Sequence, residues 1–357
     1  MKKILTIVGA RPQFIKSGVV SAAIQKNERL QEKIIHTGQH FDANMSNIFF
    51  DQLGMPQPDY QLNINSGSHG SMTGRMLEAV EKICLEENPD RLMIYGDTNS
   101  TLAGALAASK LNIPVAHVEA GLRSFNIRMP EEINRILTDQ ISDILFCPTE
   151  TAVKNLKNEG FEQKPVKILN VGDVMQDSSM FFSERAVKGQ VLNNVPEKDF
   201  IVATLHRAEN TDNPVRLKAI LDALNYLHHH ILPVVLPLHP RTQKIVKSLG
   251  LKLQMLVLEP VGYLEMIWLL KHCSAVVSDS GGVQKEAFFF KKPCVTMRDQ
   301  TEWVELIDYG VNILAGADTQ KIIEYTQNML SKEIVDSIDL YGGGNASVKI
   351  AQILEKN

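Results

Sequence analysis

The 357-residue sequence is short of cysteine, has no long apolar run and carries no surplus of basic charge. Its four cysteines, Cys84, Cys147, Cys273 and Cys294, show no CxxC spacing and sit in apolar settings. They read as small core residues of a reducing compartment. No stretch approaches the roughly twenty apolar residues of a membrane span. No signal-peptide pattern leads the chain, because Met1-Lys2-Lys3 runs directly into a strand. Cytoplasm is the expected location. A formal net charge of -4 gives no electrostatic reason to expect nucleic acid or an anionic membrane as a partner. Walker A, GxGxxG, low-complexity tracts and sequence repeats are also missing. What is present is ordinary globular composition, 44% hydrophobic and 22% charged, at a length that suits two domains.

Strand and helix patterns alternate along the first half. Apolar runs at 3–8, 33–37, 91–95, 113–118, 144–147 and 167–171 read as strands. Helical patterns lie between them, including 41–53 and 71–87. In the latter, Met72, Met76, Leu77, Val80 and Cys84 share one face and are expected in the core. This alternation implies a parallel, doubly wound α/β sheet. The rhythm restarts at Phe200, with strands expected at 200–205, 232–238, 253–258, 275–278 and 293–297. Helices are expected at 214–230, 263–272 and 318–330. The hinge is placed near Gly172. The adjacent His228, His229 and His230 do not share a helix face, so they read as favourable charge at a helix C-terminus.

Four stretches carry candidate chemistry. After the first strand, Gly9 to Lys16 turns into a helix, with Pro12 in its first turn and Arg11 and Lys16 adding positive charge. After the strand 91–95 comes Gly96-Asp97-Thr98, where Asp97 is either a site carboxylate or a helix cap. Glu119 ends the strand 113–118. About ten residues later Pro130 opens a helix bearing Glu131 and Glu132, with Glu131 and Arg135 at i and i+4. In the second half, Ser280, Gly281 and Gly282 start a helix whose N–H groups suit a phosphate. Glu286 lies one to two turns on, within reach of a ribose diol.

These stretches, in this order and spacing, resemble the non-hydrolysing UDP-N-acetylglucosamine 2-epimerases essentially end to end. The resemblance rests on Gly9-Ala10-Arg11-Pro12 with Lys16, Gly38-Gln39-His40, Gly96-Asp97-Thr98, His117 to Arg123, Pro130 to Arg135, Pro148 to Thr151, His206-Arg207 and Asp279 to Glu286. It implies a GT-B architecture of two Rossmann-like domains facing across a cleft. The first would be 1–172 plus a returning C-terminal helix within 345–357, and the second 173–344. It implies a homodimer and no nicotinamide, flavin or metal cofactor. The implied reaction eliminates UDP from C1 and the proton from C2, giving a glycal. UDP then re-adds as the proton returns on the opposite face. Asp97, Glu119 and Glu131 match the acid/base carboxylates, and Arg135 and His206 their supports or diphosphate contacts. Arg11 and Lys16 would hold the nucleotide end from the first domain, and Ser280, Gly281, Gly282 and Glu286 phosphate and ribose from the second. Domain closure would retain UDP and the glycal until re-addition.

Some positions depart from the bacterial N-acetylglucosamine enzymes. Gln13 stands where they have Glu, Phe41 to Ser46 replaces an Arg-Glu-Met type continuation, and Trp303 replaces an Arg. The pattern resembles more the branch acting on UDP-2,3-diacetamido-2,3-dideoxy-glucuronate, which feeds bacterial surface-polysaccharide synthesis. A uronate carboxylate needs a cation, and Arg128 is the expected partner ahead of Arg75 and His69. The competing classes are a GT-B glycosyltransferase, which would not need opposed acid/base groups, a hydrolysing epimerase and a non-catalytic nucleotide-sugar sensor.

Overall fold

The computed structural model of the chain describes residues 1–39, 56–334 and 339–357. The helix expected at 41–53, His40 and the departures at 41–46 lie outside the described residues. The chain divides into two compact units, Met1–Ser178 with Asp339–Asn357, and Ser179–Ile338.

The first unit holds seven strands: β1 (Lys2–Val8), β2 (Leu30–His36), β3 (Tyr60–Gln61), β4 (Arg91–Tyr95), β5 (Val115–Val118), β6 (Ile144–Cys147) and β7 (Lys167–Asn170). They form one sheet in the order β3-β2-β1-β4-β5-β6-β7, with every pairing parallel. Helices cover both faces of such a sheet, so its central strands are largely apolar. Leu92, Met93, Ile94 and Tyr95 of β4 are fully buried. The helices are α1 (Arg11–Gln25), α2 (His69–Glu87), α3 (Asn99–Lys110), α4 (Pro130–Gln140), α5 (Glu150–Asn158) and α6 (Val174–Ser183). On α2, Met76, Val80 and Cys84 are buried, and Met72 and Leu77 pack against the same apolar groups. Small residues let α3 lie close to the sheet: Ala105, Ala107 and Ala108 pack with Ile7 and Ile94.

The second unit repeats the plan with β8 (Ile201–Thr204), β9 (Val234–Pro237), β10 (Leu256–Leu258), β11 (Ala275–Ser278), β12 (Cys294–Thr296) and β13 (Asn312–Leu314), ordered β10-β9-β8-β11-β12-β13 and all parallel. Its helices are α7 (Ala208–Thr211), α8 (Pro214–His230), α9 (Pro240–Ser248), α10 (Tyr263–His272), α11 (Gly281–Phe289), α12 (Val304–Asp308) and α13 (Thr319–Leu330). At the end of α8, His228 Nδ1 accepts from the Val234 N–H at 3.0 Å, and His229 Nε2 lies 2.8 Å from Gln254 Oε1. The last helix, α14 (Ala346–Lys356), belongs to the first unit and packs on α1. Asp177 receives its first N–H groups, from Ala346 and Ser347, at 3.1 and 2.7 Å.

Strand order reverses direction between β1 and β4 in the first sheet and between β8 and β11 in the second. In open parallel sheets, ligands collect beyond the carboxyl ends of the strands at such a reversal. The expected candidate stretches after β1, β4, β8 and β11 therefore occupy the two switch points. All four cysteines are free and buried, and burial pushes the Cys84 thiol up to about 11. Among the described residues, no helix is long and apolar enough to cross a membrane, and no group of three His, Cys, Asp or Glu could hold a metal ion.

Candidate active site

At the first switch point, the turn after β4 is built around two acidic groups. Gly96 adopts φ +63, and a Cβ there would lie 3.4 Å from Glu119 Oε2. A left-handed turn with so close a neighbour suits glycine. It delivers Asp97, whose carboxylate pairs with Arg135 of α4. Asp97 does not cap α3. That task falls to Thr98, whose side chain accepts from the Thr101 N–H. Burial pushes the Asp97 carboxyl above its ordinary value; Arg135 opposes the rise and Glu119 adds to it. The backbone carbonyl of Asp97 accepts from Asn134 Nδ2 at 2.9 Å.

Glu119 is a non-glycine residue at φ +74, directly after β5. Such backbone is strained for an L side chain, and strain of this kind concentrates at functional sites. Its carboxylate, 9% exposed, pairs with Lys16 of α1. A carboxylate from β5 and a cation from the helix after β1 thus meet beside Asp97. Gln13 locks these turns together. Its Oε1 accepts from the Gly9 and Ala10 N–H groups at 2.8 and 3.0 Å. Its Nε2 donates to the Tyr95 carbonyl at 2.7 Å and to Thr98 and Thr101 hydroxyls at 3.0 Å. A carboxylate at this position could not make those donations. Gln39 joins the same rim, accepting from the Ser100 N–H at 3.0 Å. The side chain of Arg11 lies outside the described part of the structure, although its backbone begins α1.

Arg135 distinguishes the two glutamates of α4. It pairs with Glu132 at 2.5 Å and not with Glu131, which is exposed in the first turn. Spacing on a helix admits both i+3 and i+4 neighbours. Here Glu132 turns inward and accepts the N–H groups of Ser124 and Phe125, each at 2.9 Å. Burial works against its ionisation, yet these bonds and Arg135 hold the carboxyl below its ordinary value. The loop so fixed carries exposed Arg128. Of the other two cations considered, Arg75 bonds the Ser66 carbonyl, and His69 Nδ1 accepts from Asn99 Nδ2 at 3.1 Å.

Deeper still is a polar chain centred on the fully buried His117 and Asp139. His117 Nδ1 lies 2.7 Å from Asp139 Oδ1, and His117 Nε2 lies 2.7 Å from the Gly96 carbonyl oxygen. Asp139 Oδ2 accepts from Arg123 Nη1 at 2.8 Å and from the Gly121 N–H at 3.2 Å. Arg123 continues to Glu159 through two bonds of 2.6 and 2.8 Å.

The second switch point is built differently. Asp279, after β11, is fully buried and accepts the N–H groups of His206 and Arg207 at 3.0 and 2.9 Å. His206 Nδ1 lies 3.0 Å from its other oxygen, and the imidazole is half exposed. Burial would raise the Asp279 carboxyl, but the bonds from His206 and Arg207 prevail and hold it below its ordinary value. Ser280 then caps α11, accepting from the Val283 N–H at 3.5 Å. One of the helix-start N–H groups expected to face a phosphate is thus engaged by the cap. A Cβ on Gly281 would overlap the Glu302 carboxylate, which would have to move aside. Gly282 is exposed and Glu286 is buried. Lys285, also buried, lies 4.0 Å from the ring centroid of Trp303.

Residues 22–355 match the family described as UDP-N-acetylglucosamine 2-epimerase. The chain belongs to that family. It is 65% identical over 354 residues to the UDP-2,3-diacetamido-2,3-dideoxy-D-glucuronate 2-epimerase of Pseudomonas aeruginosa, covering 99% of each chain. Among solved structures it is similar to the Methanocaldococcus jannaschii UDP-GlcNAc 2-epimerase in complex with UDP-GlcNAc and UDP. That likeness has a TM-score of 0.87 at 43% identity, covering 99% of this chain and 100% of the other. The Neisseria meningitidis UDP-GlcNAc 2-epimerase bound to UDP-GlcNAc gives a TM-score of 0.88 at 32% identity, with 99% and 100% covered. The expected GT-B type of fold, two parallel-sheet α/β units, is that of this epimerase family.

In this epimerase-family chain, Glu132, His117, Asp139 and Asp279 join the candidate site through contacts that sequence spacing alone does not reveal. One signal was available: His117 lies in a strand of otherwise apolar residues, where a polar side chain needs a partner. Nothing local in the sequence names Asp139 as that partner.

Proposed function

We propose that this chain is a non-hydrolysing UDP-sugar 2-epimerase acting on UDP-2,3-diacetamido-2,3-dideoxy-glucuronate and making its manno isomer for surface-polysaccharide synthesis in the cytoplasm. The observation that carries the substrate is 65% identity, over 99% of both chains, to the Pseudomonas aeruginosa enzyme of that name. The proposed reaction begins with removal of the C2 proton as the C1–O bond to UDP breaks, leaving a glycal. UDP then re-forms the bond at C1, and a proton adds to the other face of C2. Elimination and re-addition leave the oxidation state of the sugar unchanged, so the scheme needs no redox cofactor.

Two faces of one carbon require two proton-handling groups, since a single side chain reaches only one. Asp97, Glu119 and Glu131 are our candidates. The raised carboxyl of Asp97 suits a group that must both hold and release a proton. Arg135 supports Asp97, and Lys16 supports Glu119. Arg11, Lys16 and His206 would stabilise the departing diphosphate, which is electrostatic catalysis. Ser280, Gly281, Gly282 and Glu286 would hold phosphate and ribose. Arg128 would pair with the uronate carboxylate, and the working unit would be a homodimer.

Proton NMR in D2O tests this reading with two substrates, UDP-2,3-diacetamido-glucuronate and UDP-N-acetylglucosamine. The expected product from the uronate has manno coupling at C2, deuterium at C2 and UDP attached. Turnover of the plain sugar alone would move the chain to the UDP-N-acetylglucosamine branch, which the archaeal likeness favours. Accumulating free UDP would mean hydrolysis, and inertness with both would return the glycosyltransferase reading.

A further inference from the structure

We infer that His117, oriented by Asp139, is a positioning residue for the proposed proton transfers: it clamps the Gly96 carbonyl and so sets the placement of Asp97. This rests on the epimerase reading above. The imidazole is fully buried, and its two nitrogens reach in different directions. Nε2 lies 2.7 Å from the Gly96 oxygen, and a carbonyl can only accept, so Nε2 carries a proton. Nδ1 is held at 2.7 Å by Asp139, itself fully buried. The ring therefore cannot turn without taking its N–H from the Gly96 carbonyl and its partner from one oxygen of Asp139, whose other oxygen stays with Arg123 and Gly121.

Gly96 is the residue before Asp97, and its left-handed φ makes the turn sensitive to where its carbonyl points. The same Asp139 accepts the N–H of Gly121, two residues beyond Glu119. One carboxylate on α4 thereby secures the turns that carry two of the three candidate acid/base groups. Asn134 and Arg135 of the same helix hold the Asp97 carbonyl and carboxylate. His117 touches neither acidic side chain. Its effect would reach the chemistry through backbone placement, where an error of about 1 Å costs about 100-fold in rate.

The two variants that separate clamp from core filler are His117→Phe and His117→Gln. Phenylalanine keeps the ring and removes both bonds, whereas glutamine places an amide N–H near the position of Nε2. In the D2O assay, His117→Phe is expected to lose about 100-fold in kcat with KM within about threefold of wild type. His117→Gln is expected to recover at least tenfold of that loss at a similar melting temperature. Should His117→Phe fail to fold, His117→Asn, which is polar but too short to reach Gly96, is read in its place. Equal impairment of both variants, or full kcat without the Gly96 bond, would overturn the positioning role while wild-type turnover upheld the epimerase. Wild-type inertness on both sugars, with the folded chain still binding UDP, would instead overturn the reaction and this role with it.

Discussion

The two sheets share one strand order and place their candidate groups at the same topological address, yet the rims are made of different material. The rim of the first unit is a mesh of charged side chains: Asp97 with Arg135, Glu119 with Lys16, and Glu132 spanning Arg135 and a loop. The rim of the second leans more on backbone: a serine-capped helix start with Gly281 and Gly282, and one buried carboxylate, Asp279, that binds main-chain N–H groups as well as the His206 imidazole. Proton transfer needs titratable groups held by counter-charges, whereas phosphate is well met by backbone N–H groups. On the proposed function, the first rim would handle the protons and the second would hold phosphate, a division carried by the residues at each rim and not by the shared fold.

That division can be broken experimentally. The largest effect should come from Asp97→Asn, with kcat down about 1,000-fold and UDP affinity, by calorimetry, nearly unchanged. Undiminished turnover would remove Asp97 from the acid/base set. On the other rim, Gly281→Val should do the reverse, weakening UDP binding by about tenfold while kcat at saturating substrate changes little. If kcat fell and UDP binding held, the division between the rims would be wrong. Arg135→Met sharpens the comparison through pH. Burial raises the Asp97 carboxyl and Arg135 pulls it down, so losing the cation should raise it further. The ionised form then needs a higher pH, and the acid limb of kcat should move to higher pH. An acid limb that stays put would sever Asp97 from that limb.

The smallest effect lies away from both rims. Glu32 on β2 accepts from Thr6 Oγ1 at 2.5 Å, and its other oxygen is enclosed, with Ser21 as the other hydroxyl beside the carboxyl. Burial lifts its carboxyl to about 7. A carboxyl raised in the folded state is penalised once ionised. Its cost is absent below the unfolded value, grows as pH climbs towards 7 and is complete above it. Glu32→Gln should therefore gain stability on wild type between pH 5 and pH 8, by about 1–2 kcal/mol at most, with turnover unaltered. Urea midpoints at the two pH values check this, and a gap that does not widen with pH would mean Glu32 is ionised without penalty.

Much of the architecture was legible because strong periodicity survives folding. The strands at 91–95, 144–147 and 275–278 and the helices at 214–230 and 263–272 have the expected bounds. Short elements were not: Tyr60–Gln61 and Asn312–Leu314 are strands only because a neighbouring strand offers its edge. Other strands begin or stop short of their apolar runs, as at Val115 and Val234, because pairing and not hydrophobicity sets their ends. In the candidate site, strand-end logic found Asp97 and Glu119. It set Glu131 beside Arg135 at i+4, whereas the partner in the structure is Glu132 at i+3, and both spacings lie on one helix face. Asp139 was invisible because its partners lie 16, 18 and 22 residues away, and only the folded sheet brings them together.

The left-handed backbone of Glu119 carries a lesson for anyone improving this protein. Glycine would relax that backbone, so the residue holds its left-handed turn at a cost that its side chain has to offset. The same exchange deletes the carboxylate that Lys16 holds. Relief of the backbone would therefore come with a stranded ammonium, so the strained turn and the ion pair stand or fall together.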